Sequence, residues 1–277
     1  MKSTSTKNNP AGLFRIWKEA FEEKDDYIAL FFKEASPLGN TLSCGPVHAP
    51  YAALTLFPIN LELAGMSYSG YYLYALGVLD THRGKGYGRL LLEQARSYAL
   101  SNQGAFILLQ PTNAPLFAYY RNLGYAHSVS RAQLSIDRTA LKNGDSSLLN
   151  LLQALSAPAP SRFIWPESMR SYIRKECMYR KGALIAQTAY CYPRQDELGF
   201  FVEIKEFNGS AQQIPLLLSG LQEHFPDAYR FVFYGKAQSP PLASLQQAPF
   251  ALLHFIDSHA EKLYYLNQPA SFALGMD

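Results

Sequence analysis

Residues 71–92, YYLYALGVLDTHRGKGYGRLLL, confine the chain more than any other stretch. An apolar, aromatic run ends at Val78-Leu79, a polar connector holds Asp80, Thr81 and His82, and Arg83-Gly84-Lys85-Gly86-Tyr87-Gly88 leads into a leucine-rich segment. That order predicts a buried strand, a tight glycine turn and a helix start, and so an α/β layering in which the strand is covered on both faces. The unpaired N–H groups of a first helical turn and the helix dipole favour an anion. Glycines let the backbone come close to one without a Cβ in the way. The competing reading is a surface turn that happens to be rich in glycine.

The rest of the composition narrows the class. A chain of 277 residues with 48% hydrophobic and 17% charged residues can bury one large core or two ordinary ones. A formal charge of +3 without a dense Lys/Arg run argues against nucleic acid as a partner. Cys44, Cys177 and Cys191 are scattered and odd in number, and the six histidines form no HxxxH or CxxC spacing, so no metal site is expected. The opening MKSTSTKNNPAG lacks an apolar signal core, and no apolar run nears the ~20 residues that span a bilayer. A cytoplasmic protein with reduced thiols and no membrane partner is the expectation.

In chain order, Asn9-Pro10 opens a helix with Leu13, Ile16, Trp17 and Phe21 at helical spacing, and Asp25-Asp26 starts a second short one. TLSCGPV and YAALTLFPINLEL read as two strands, Ser67–Gly70 as a break, and 71–79 as a strand. A helix over about 86–100 buries Leu91, Ala95 and Tyr98 or Ala99; AFILLQP is the next strand; Asn113 precedes a helix closed by Gly124; a strand follows at about 125–136. The domain boundaries expected are 1–136, a 137–160 linker flanked by Asn143-Gly144-Asp145 and SAPAPS, and a second domain at 161–277. In the second domain PESMRSYIRKECMY and AQQIPLLLSGLQEHF read as helices, with ALIAQTAYCY, ELGFFVEI, YRFVFYG and FALLHFID as strands. Strand–helix–strand recurs at similar length in both halves, but the second keeps only KEFNGSAQQI at its turn. It reads as a degenerate copy without the anion site.

Residues 78–90 resemble motif A of the GNAT superfamily of acyl-CoA-dependent N-acyltransferases, whose Arg/Gln-x-x-Gly-x-Gly/Ala is matched by Arg83, Gly86 and Gly88. The superfamily's second hallmark is matched by Asn113, Tyr120, Gly124 and Tyr125. G-x-G-x-G is neither the G-x-G-x-x-G of a dinucleotide fold nor a nucleotide-triphosphate loop. The resemblance covers roughly residues 10–136 and extends only weakly, as a second GNAT-like α/β domain, over 161–277. It implies a mixed-sheet GNAT-like domain with acetyl-CoA as cosubstrate. The implied coenzyme site is Val78, Arg83, Gly84, Lys85, Gly86, Tyr87, Gly88, Arg89 and Asn113. The amides of 83–88 hold the diphosphate, the amide near Val78 faces the thioester oxygen, and Asn113 meets the pantetheine or its neighbouring helix.

Acyl transfer from a thioester to an amine needs a proton taken from the amine, donors for the oxyanion and a proton for the leaving thiolate. The resemblance makes Tyr120 the phenol that protonates the thiolate; the alternative is a core aromatic on the helix face. Where many family members place a Glu, YYLYALGV has none. Glu62 is the nearest candidate base, with Asp80 and His82 behind it; each also reads as a solvated residue, and a water relay needs none of them. Some tandem acetyltransferases of the enhanced-intracellular-survival type use the chain terminus, which here is Asp277. The expected activity is N-acetyl transfer from acetyl-CoA to a primary amine of a small-molecule or peptide acceptor, by direct attack of that amine on the bound thioester, with a homodimer compatible. The alternative is a catalytically silent acyl-CoA-binding regulatory module.

Overall fold

The computed structural model describes residues 10–143, 146–157, 161–187, 189–207, 209–210, 212–236, 245–267 and 270–271. Asn9, Gly144-Asp145, the prolines of SAPAPS and Asp277 lie outside the described residues. In chain order the elements are α1 (Pro10–Phe21), α2 (Asp25–Leu30), β1 (Asn40–Cys44), β2 (Ala52–Leu63), β3 (Met66–Val78), α3 (Tyr87–Ser101), β4 (Phe106–Leu109), α4 (Ala114–Asn122) and β5 (His127–Asp137). Then follow α5 (Arg138–Asn143), α6 (Ser146–Ser156), β6 (Ser161–Ile164), α7 (Glu167–Tyr179), β7 (Ala183–Ile185), β8 (Ala189–Asp196), β9 (Gly199–Ile204), α8 (Gln213–His224), β10 (Arg230–Lys236), β11 (Gln246–Phe255), α9 (Ser258–Leu266) and β12 (Ala270–Ser271). Among the described residues no helix is long and apolar enough to cross a membrane, and no group of His, Cys, Asp or Glu could hold a metal ion. Cys44, Cys177 and Cys191 are buried thiols.

The chain divides into two compact units that interleave along the sequence. The first is Met1–Ser128 with Phe163–Tyr172 and Ala251–Leu266; the second is Val129–Arg162 with Ile173–Phe250 and Asn267–Asp277. The division therefore does not follow the 137–160 segment. That segment carries α5 and α6, and Leu148, Leu152 and Leu155 of α6 are buried in the core of the second unit.

In the first unit β1 pairs antiparallel with β2, β2 with β3, β3 parallel with β4, and β4 antiparallel with the end of β11. Alternation sends Leu73, Ile107 and Leu109 to one face of this mixed sheet, where they pack with Leu91, Ala95 and Ala99 of α3 and Tyr120 of α4. On the other face Ile16 of α1 packs with Ala53 and Leu79, and the Phe31 ring lies tilted with its centroid 4.2 Å from that of Trp17 and 5.8 Å from that of Tyr74. The expected break at Ser67–Gly70 is instead part of β3; the hairpin turns at Ala64-Gly65, where both residues have positive φ.

In the second unit β9, α8 and β10 form a parallel strand–helix–strand crossover, with β5 antiparallel to β10 and β8 antiparallel to β9. Ile204, Phe231 and Phe233 pack on Ile214, Leu217 and Leu221 of α8. ALIAQTAYCY is two strands rather than one, because Ala186 and Gln187 take positive φ and turn β7 back onto β8.

Candidate active site

β3 pairs with β2 along its whole length, from Met66↔Leu63 to Val78↔Ala52, but with β4 only at Tyr71, Tyr72 and Leu73. Beyond Leu73 and Leu109 the parallel ladder ends, because β4 stops there while β3 runs on to its carboxyl end at Val78 without a β4 partner. In α/β sheets that is where ligands bind. At the same level Ala75 and Leu76 stand opposite Leu54 alone, a bulge with Ala75 at φ 53. An alanine held in the left-handed region costs about 1–2 kcal/mol, and such strain gathers at functional sites. Nothing in YYLYALGV betrays this bulge beforehand, since alanine has no preference for positive φ.

After β3, Leu79 N–H donates to Tyr51 C=O at 2.9 Å, and Asp80–His82 make one 3₁₀ turn. The next two glycines have φ of +73 (Gly84) and +83 (Gly86), and a Cβ on either would meet nothing within 4 Å. They are thus required by the backbone conformation, and the space beside them is open. Gly86 caps α3, whose first N–H to C=O bond runs from Leu90 to Gly86 at 3.0 Å and whose first turn holds no acidic residue. The N–H groups of Tyr87, Gly88 and Arg89 are those a helix start leaves without helical partners. Gly88 is different: a Cβ there would lie 2.9 Å from the Tyr119 hydroxyl.

The two cations of the turn fold back onto it. Arg83 Nη2 lies 2.8 Å from Asp80 Oδ1 and its Nε donates to Val78 C=O, while Lys85 Nζ donates to Thr81 C=O at 2.8 Å. His82 stacks flat on Tyr51 at 4.0 Å. Asp80 is thus a counter-ion of Arg83, and both partners are largely exposed, so the pair is worth little to stability.

Asn113 caps α4, its Oδ1 accepting from Leu116 N–H at 3.0 Å. Tyr120 is 8% exposed, between the rings of Tyr119 and Tyr125 at 5.2 and 6.0 Å. Burial, with the neighbouring phenols of Tyr119 and Tyr125, pushes its ionisation well above the ordinary phenol range. The hydroxyl therefore keeps its proton. Tyr125, fully buried, is pushed up to about 12 by burial against the opposing Arg96 cation.

Glu62 is not brought to this site. It pairs with Ser67 beside the hairpin turn, and Ser67 lies eleven residues before Val78 on β3, roughly 36 Å of strand. The antiparallel register fixes it at the far end from the glycine turn, so proximity in the sequence pattern did not translate into proximity in space.

Fold and turn together make a mixed α/β unit in which a glycine-rich helix start follows the carboxyl end of β3. Residues 11–125, the segment that holds the glycine turn and the Asn113 helix, match the acetyltransferase (GNAT) family. Similar solved structures extend over most of the chain. A conserved Enterococcus faecalis protein called a probable N-acyltransferase is 14% identical, with TM-score 0.65 over 92% of this chain and 72% of that one. A GCN5-related N-acetyltransferase from Kribbella flavida is 14% identical, with TM-score 0.62 over 93% and 71%. Eis1 from Mycobacterium abscessus is 14% identical, with TM-score 0.62 over 94% and 75%. At these identities the likeness is one of fold. No curated protein sequence matched the chain.

Proposed function

We propose that the first unit binds acetyl-CoA and transfers its acetyl group to a primary amine of a small-molecule or peptide acceptor. The observation that carries this reading is the stretch of β3 beyond Leu73, left without a β4 partner, which leads directly into the positive-φ glycines and the start of α3. The N–H groups of 84–89 suit the coenzyme's diphosphate, with Arg83 and Lys85 released from Asp80 and Thr81 to meet it. The strand edge beyond Leu73 offers backbone groups to the amides of the pantetheine arm.

In the reaction the amine lone pair attacks the thioester carbon, the carbonyl becomes an oxyanion near the Val78 amide, and the C–S bond breaks as the oxyanion collapses. Tyr120 delivers its proton to the thiolate and regains one from water, and the proton lost by the amine leaves to water. Burial of the phenol supports the donor role, because a phenol so placed is neutral throughout the physiological range. No enzyme nucleophile is needed, since bound amine and thioester react in one encounter.

The test is thiol release from acetyl-CoA with a panel of lysine, tyramine, histamine, spermidine and a lysine peptide. Amine-dependent release supports the reading. A silent acyl-CoA-binding module is the second reading, favoured by the placement of Glu62 at the far end of the hairpin. Acetyl-CoA binding without release on any amine would establish it instead.

A further inference from the structure

Gln110 is the first residue past β4, one step beyond the last rung that joins β3 to β4, Leu73↔Leu109. Its side-chain oxygen is enclosed, with no hydrogen-bond partner among the described residues. A buried acceptor left without a donor is costly, so such an atom points to a donor that arrives with a ligand. Strand alternation also decides which side that ligand occupies. Ile107 and Leu109 face α3 and α4, so Gln110 follows Phe106 and Leu108 to the opposite face. There the neighbouring β3 position is Tyr74, whose hydroxyl lies 3.2 Å from that of Tyr27 on α2 and whose ring sits 5.9 Å from Trp17 on α1.

Resting on the function proposed above, we infer that Gln110 is an acceptor-positioning residue whose carboxamide oxygen takes an N–H of the incoming amine on the α1/α2 face of the sheet, just beyond that last rung. The chemistry suits a neutral acceptor. An amine or ammonium always has an N–H to spare, and a carboxamide orients it without trapping it as a tight ion pair. Gln110 takes no proton; it holds the nitrogen while the lone pair turns to the thioester carbon.

The test compares Gln110→Leu and Gln110→Glu with the parent protein, using whichever panel amine gives the fastest thiol release. Gln110→Leu should raise the amine KM about 10- to 100-fold, with the acetyl-CoA dissociation constant unchanged in calorimetry. Gln110→Glu, which keeps an acceptor oxygen but adds a charge, should not raise the amine KM and should lower turnover by holding the ammonium form as an ion pair. Thermal melts of both variants establish that they are folded. An unchanged amine KM in Gln110→Leu, or a loss confined to acetyl-CoA affinity, would overturn the assignment. Absence of acetyl-CoA binding by the parent protein would instead overturn the functional reading beneath it, and binding without release on any amine would overturn both.

Discussion

The hydroxyl of Tyr119 lies 2.9 Å from the point that a Cβ on Gly88 would occupy, so a tyrosine of α4 fills the space this glycine leaves over the first turn of α3. Gly84 and Gly86 serve otherwise: both hold φ near +80° with open space beside them. Three glycines of one motif thus answer to two different physical demands.

That difference is measurable. Gly86→Ala must hold an L residue at φ +83, which costs about 1–2 kcal/mol, and it also tilts the amides of the turn. Gly88→Ala meets only the free end of a tyrosine, which can swing aside, and should cost less than about 1 kcal/mol. Urea denaturation of the two variants should give that order; the reverse would show that Tyr119 is held rigidly and that the turn tolerates alanine.

Tyr120→Phe should lower turnover by about 10²-fold while leaving acetyl-CoA affinity within a factor of about two. Because burial raises its ionisation beyond the ordinary phenol range, the parent's rate should show no alkaline decline below about pH 10 from this group. Steady-state rates from pH 7 upward, paired with calorimetry, check both halves. Unchanged turnover would leave Tyr120 as a core aromatic only.

His254 gives the first unit an acid-sensitive point. Burial holds its imidazole below the usual range, and Arg96 and His127 add to this, while the hydrogen bond to Gly124 C=O at 2.8 Å and Glu261 oppose it. The unfolded chain takes up this proton at about pH 6.5, the folded chain only at lower pH. Stability therefore falls as pH drops through about 6.5 and levels once the folded state is protonated too. His254→Gln should lose less stability than the parent between about pH 7.5 and pH 5.5 in denaturant titrations.

How much of this was legible beforehand depends on how local each cause is. The glycine turn, α3 with Leu91, Ala95 and Ala99 inward, and the Asn113 cap of α4 follow from short-range chemistry and stand where the sequence puts them. The hairpin register that carries Glu62 away from Val78 was not legible, because a strand's length and turn position decide it and Ala64-Gly65 is a weak turn signal beside Ser67–Gly70. The bulge at Ala75 and the enclosed oxygen of Gln110 arise from how strands meet, and no single residue announces either. The interleaving of the units is likewise tertiary. Trp165 and Tyr264 are buried in the first unit although both sit far along the chain from its other residues.

In the second unit Glu203 accepts from the Tyr234 hydroxyl at 2.7 Å and from Arg194 Nε at 2.8 Å. Burial opposes its charge, but those two donors, with the Lys205 and Arg194 cations, outweigh it and hold the carboxyl below its usual range. The stability this gives is present above the unfolded value of about 4.3 and fades as pH falls below it. Glu203→Gln should cost about 1–3 kcal/mol at pH 7 and flatten the acid limb of the stability profile. An unaltered acid limb would show that the donors lend no stability to the charged form.

The central claim is that the turn at Arg83–Gly88, at the end of β3, holds the coenzyme diphosphate. Calorimetric titration of acetyl-CoA into the parent chain and into Gly86→Glu tests it most directly. One saturable site per chain is expected in the parent and none in the variant, whose carboxylate would occupy the open space beside the helix start. No binding by the parent, or undiminished binding by a folded Gly86→Glu, would contradict it.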